Sequence, residues 1–205
     1  MMIEPVARLR IELREIEPRL WRRVDVPLSS TLLALHDIIQ AVVGWTDSHL
    51  FEFVIGERVY GEPMPDDDFW DRHVYKAGGV RLKSLIERGI ERFVYVYDFG
   101  DDWRHDIFIE SLGDGEADVE YPAFVDGERR CPPEDVGGAT GFMQFLEAAL
   151  DPLHEEHNDV VTWYGKPFDP VDMDERWVRP RLATLAARRR GALARHRGAT
   201  PPDST

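Results

Sequence analysis

The chain has 205 residues, 39 acidic against 25 basic, a formal net charge of −14, and 43% hydrophobic with 11% aromatic side chains. That balance excludes a disordered polymer and is enough for one well-buried core with no break into two domains. No apolar run approaches the roughly 18 residues needed to cross a bilayer, and the acidic N-terminus lacks an apolar export signal, so neither membrane insertion nor secretion is expected.

Val6 to Ile16 alternates, with Ala7, Leu9, Ile11 and Leu13 opposite Arg8, Arg10, Glu12 and Arg14, the period of a strand with one buried face. Glu17-Pro18 interrupts it and Leu20 to Val26 alternates again, which predicts a hairpin with Trp21 covering an edge. Ser29 or Ser30 is expected to cap a helix whose apolar residues Leu32, Leu35, Ile38, Ile39, Val42 and Val43 recur at helical spacing, and Gly44 ends it. Leu50 to Ile55 reads as a strand and Gly56-Glu57-Arg58 as a turn. Gly61 to Gly79, with Pro63, Pro65 and the run Asp66-Asp67-Asp68, reads as a long loop.

Leu82 to Arg88 predicts a short helix before Gly89. Phe93 to Asp98 is apolar on both faces, as a central strand is, and Phe99-Gly100-Asp101-Asp102 turns the chain into a partner strand from Trp103 to Glu110. Val119 to Val125 reads as a short strand, and Thr140 to Leu150 as a helix with Phe142, Phe145, Leu146 and Ala149 on one face. A last helical region, Asp172 to Arg190, is expected to bend at Pro180. Strands and helices do not alternate regularly, so the expected fold is α+β, a single compact domain with a mainly antiparallel sheet packed against several helices. The domain is expected over residues 1–180, with a basic C-terminal helix and disordered tail over 181–205.

Charge is unevenly placed. Residues 176–205 hold eight arginines against one aspartate, +7, which leaves −21 on residues 1–175. An acidic body repels phosphate backbones, so a protein partner is expected before nucleic acid, which has access only through the Arg-rich 176–197 segment. The other reading of that segment is a solvated helix end.

Four segments stand out in order: LWRRVDVP (20–27) followed by LLALHDIIQAVVGWTDSHLFEF (32–53), then YVYDFGDDWRHDIFIE (95–110), GERRCPPEDVGGATGF (127–142) and FDP (168–170). Together they resemble the plasmid pRi ORF-3-like family, named from a root-inducing plasmid, whose members also occur beside mobile elements. The resemblance spans roughly residues 4–180. It implies a compact α+β domain and a setting among plasmids or insertion elements, with no established activity. No serine- or tyrosine-recombinase constellation supports the resolvase label sometimes given to relatives. The resemblance also implies further cysteines around the CPPED segment, and here those places hold Phe124 and Val136. Cys131 is the single cysteine, which excludes an internal disulfide, fits a cytoplasmic location and makes a poor zinc site.

The candidate binding cluster is Asp98, Asp101, Asp102, Trp103 and His105 with Glu134 and Asp135. On a strand, Asp101, Trp103 and His105 project to one side, and carboxylates beside an imidazole can bind a divalent cation or transfer protons. The same residues also suit a tight hairpin, with Gly100 supplying a permissive angle and aspartates bonding turn amides. Gly137-Gly138 opens a helix whose N-terminus can hold an anion, although Glu134 and Asp135 oppose one. His36 and His49 read as structural, His154 and His157 as a possible pair on one helix face, and Trp45, Trp70, Trp103 and Trp163 as groove or sheet-end aromatics. No cofactor motif is present. The expected function is a non-enzymatic binding or accessory module. The alternative is a metal-dependent hydrolase using Asp98, Asp101 and His105.

Overall fold

The computed structural model describes residues 4–63 and 73–198. Its eight strands are β1 (Pro5–Leu13), β2 (Leu20–Pro27), β3 (Phe51–Ile55), β4 (Arg58–Gly61), β5 (Val74–Lys76), β6 (Arg92–Tyr97), β7 (Trp103–Asp114) and β8 (Ala123–Glu128). They form one sheet in the order β5-β4-β3-β6-β7-β1-β2-β8, antiparallel throughout except for the β4–β5 pair. The five helices are α1 (Leu32–Val43), α2 (Leu82–Glu87), α3 (Gly138–Leu150), α4 (His157–Tyr164) and α5 (Glu175–Gly198). The mainly antiparallel α+β architecture is the one the element order predicts.

Alternation in β1 sorts its side chains. Ala7, Leu9, Ile11 and Leu13 are buried, and the opposite face carries charge. There Arg8 meets Asp25 at 2.8 Å, Arg10 and Arg23 both reach Glu110, and Arg14 and Arg92 share Asp106 at 2.7 and 2.8 Å. This charged ladder lies on the outer face, with Asp106 buried beneath Arg14 and Arg92, while the inner face packs on the helices. The β1–β2 hairpin forms as expected, but β2 is no edge, because β8 pairs with it. Trp21 lies on the outer face, under the Arg23 guanidinium and bonded to Glu128.

Helix α1 buries Leu32, Leu35, Ile38, Ile39 and Val42, and Gly44 closes it in the left-handed region at φ 98°. The cap is Thr31, not Ser29 or Ser30: its hydroxyl accepts the Ala34 amide at 3.1 Å. Strand β4 begins at the predicted turn residue Arg58, and β5 with a 3-10 turn at Ala77–Gly79 falls in the expected 61–79 loop. Of that loop, Pro65, the three aspartates and Trp70 lie outside the described residues. The predicted 119–125 strand is displaced to β8, with a cis Tyr121-Pro122 bond just before it.

Helix α5 runs on through Pro180 and lays Val178, Leu182 and Ala186 into the core. Its arginines are largely engaged within the molecule: Arg181 donates to the Trp45 carbonyl, Arg189 pairs with Glu4, and Arg190 pairs with Glu120. The basic segment thus clamps an acidic body. Residues 199–205, expected as a tail, lie outside the described residues.

Candidate functional site

The two sequence motifs meet. The turn after β6 and the segment before α3 lie side by side, with the turn after α1 between them. Asp98 (φ 55°) and Asp102 (φ 52°) take the left-handed conformation that the sequence assigns to Gly100. One Asp98 oxygen accepts the amides of Gly100 and Asp101 at 2.9 and 3.3 Å. Its other oxygen lies 3.6 Å from His49 Nε2, which is 2.9 Å from Asp135 Oδ1. Ligand atoms of His49, Asp98 and Asp135 all fall within 4.8 Å of one another. Asp98 is buried and Asp135 exposed, so the group opens to solvent on one side.

The other candidate residues are placed differently. Asp101 accepts the Gly137 amide at 3.1 Å, which sets a carboxylate at the start of α3 that opposes an anion there. Asp102 pairs with Arg104. Glu134 accepts the Tyr97 hydroxyl at 2.6 Å and the Thr46 amide at 3.0 Å, and its carboxylate also takes the Thr46 hydroxyl. Burial, and then the bond to Glu134, push the Tyr97 phenol well above its ordinary range, so it stays a donor.

Trp103 and His105 face the core. His105 packs edge-on against Trp45 at 5.4 Å and beside Tyr95 at 5.5 Å. Neither of its ring nitrogens has a hydrogen-bond partner among the described residues. Burial pushes its pKa down to about 3, so the ring is neutral at pH 7. It does not join the carboxylates. His49 stands where the sequence places His105.

Trp45 is buried too, stacked on Tyr97 at 4.9 Å and donating its Nε1 hydrogen to the Pro132 carbonyl at 2.9 Å. His36 is structural, stacked on Phe51 and bonded to Tyr95 and Asp47. His154 accepts the Glu156 amide and His157 bonds the Ala148 carbonyl, so each imidazole serves its own helix hairpin. Cys131 is buried, its thiol pushed up by burial, and accepts from the Arg22 guanidinium at 3.1 Å.

Residues 5–176 match the family described as plasmid pRiA4b ORF-3-like protein. The uncharacterized protein y4hQ of Sinorhizobium fredii is 39% identical over 164 residues, 80% of this chain and 83% of that one. A protein of unknown function from Methanosarcina mazei Go1, known from a crystal structure, superposes with a TM-score of 0.75 and 34% identity, over 83% of this chain and 95% of that one.

Proposed function

The chain belongs to the plasmid pRiA4b ORF-3-like family, and we propose that it is a non-enzymatic binding module whose centre holds a divalent cation on His49, Asp98 and Asp135. One observation carries this reading: an imidazole and two carboxylates from three separate segments converge within 4.8 Å. One nitrogen and two carboxylate oxygens suit a borderline or hard first-row ion such as Zn2+ or Mn2+. Such an ion would pin three turns that already meet through hydrogen bonds and the Trp45–Tyr97 stack. Binding is favoured over catalysis because the neighbouring acid–base groups are engaged: Glu134 with Tyr97, Asp101 with Gly137, and Asp102 with Arg104. A protein partner is favoured over nucleic acid because α5 turns several of its arginines onto its own acidic body. A setting among plasmids or mobile elements belongs to the same proposal.

The test is thermal unfolding with Zn2+, Mn2+ and Mg2+ and with a chelator, beside His49→Gln and Asp135→Asn. A ligand at a hundredfold excess over its Kd stabilises the native state by about 2.7 kcal/mol. The expected result is an ion-specific rise in midpoint that both variants lose. No ion-specific rise in the unaltered protein would overturn the reading.

The exposure of Asp135 favours a second reading, a metal-dependent hydrolase, since a cation with three protein ligands keeps a position open for water. It predicts metal-dependent turnover of a phosphodiester or ester probe that His49→Gln abolishes.

A further inference from the structure

Between α3 and α4 lies a cavity of about 330 Å3. Phe145, Val160 and Trp163 form its apolar wall, and Asp135, Glu156 and Asp159 give it an acidic rim with no lysine or arginine in its lining. The Glu156 and Asp159 carboxylates make no ion pair or hydrogen bond among the described residues. Trp163 meets Phe145 edge-on at 5.8 Å and remains 53% exposed. Helix α4 buries none of its residues fully, which is unusual for a helix on a folded core. The same hairpin also exposes Leu150 and Leu153, the latter 93% exposed.

We propose that this groove docks an arginine- or lysine-bearing segment of a partner protein. The cationic head sits between the Glu156 and Asp159 carboxylates, and its aliphatic stem lies along Phe145 and Trp163, where an aromatic face adds a cation–π attraction. Charge complementarity selects a basic occupant. Exposed Leu150 and Leu153 on the same hairpin give a polypeptide with apolar residues beside its basic ones more to cover than a small amine does, so the occupant is a polypeptide. The proposal shares with the preceding reading the premise of a binding module, but it does not need the cation.

The test measures fluorescence anisotropy of a labelled, amidated (Arg-Leu)3 peptide with the full chain, in chelator and at physiological salt. Trp163→Ala and the double variant Glu156→Gln/Asp159→Asn are each expected to weaken binding at least tenfold. The distant double variant Glu57→Gln/Asp118→Asn, which removes the same charge from exposed loops, is expected to change it less than twofold. Equal loss in the distant variant, retained binding in Trp163→Ala, no binding by the unaltered protein, or free agmatine binding as tightly as the peptide would each overturn the proposal. The groove variants keep all three cation ligands. Peptide binding without a cation response therefore sinks only the cation reading, and the converse sinks only this one.

Discussion

Asp101 accepts the amide of Gly137 at 3.1 Å, so a turn between two central strands is bonded to the start of the helix that follows the CPPED segment. That contact joins the turn carrying Asp98 to the segment carrying Asp135.

Its packing leaves no room for a side chain at the next residue. Gly138 sits at φ 68°, and a Cβ there would lie 2.6 Å from the Asp101 carbonyl oxygen. Gly138→Ala combines left-handed strain with a backbone clash, and roughly 2–4 kcal/mol of stability is expected to be lost. Gly44 is also left-handed but has open space around it, so Gly44→Ala is expected to cost about 1 kcal/mol. Urea unfolding of the two variants checks the difference.

His105 makes stability depend on acid. Its folded pKa, about 3, lies below the ordinary value of 6.5, so only the unfolded state takes up its proton between those two pH values. Its contribution is complete above pH 6.5 and falls by about 1.4 kcal/mol for each pH unit below that, down to pH 3. His105→Leu removes this dependence. Unfolding free energies from pH 7 to 4 should fall more gently in the variant. Parallel curves would show that His105 is not the group responsible.

Arg130 holds the C-terminal segment. Its guanidinium pairs with Asp172 at 2.6 Å and Asp174 at 2.7 Å and donates to the Asp169 carbonyl. It is nearly buried, and Asp174 is held below its ordinary carboxylate range against the opposing pull of burial, chiefly by its bonds to Arg130 and Arg176. Arg130→Met strips Asp172 of its ion-pair partner and leaves Asp174 with Arg176 and Lys166 alone, and should cost about 2–4 kcal/mol. Hydrogen exchange should quicken first at residues 168–178, ahead of the sheet; uniform loosening would place the effect elsewhere.

Much of the fold was legible because its signal is local. The period of two from Ala7 to Leu13 and the helical spacing from Leu32 to Val43 each report one buried face. Where a face is not buried, the signal fades. Helix α4 buries nothing fully and its sequence signal is little more than His157 spaced from His154, and β5 has three residues, two of them exposed. The cap at Thr31 and the left-handed Asp98 show a different limit, since several neighbouring residues could fill those roles by chemistry alone.

The sequence by itself determined the family, the antiparallel α+β class and the acidic body with its basic end, because composition and side-chain period are properties of adjacent residues. Only tertiary structure decided the site. His49 and Asp135 are 86 positions apart, and nothing in the turn after α1 distinguishes His49 from a structural histidine. His105 was a candidate by its spacing from Asp101, yet strand alternation turns it inward beneath Trp45, and burial there keeps it neutral. Which imidazole meets the carboxylates depends on how the sheet brings distant turns together, and that is set by packing across the whole core.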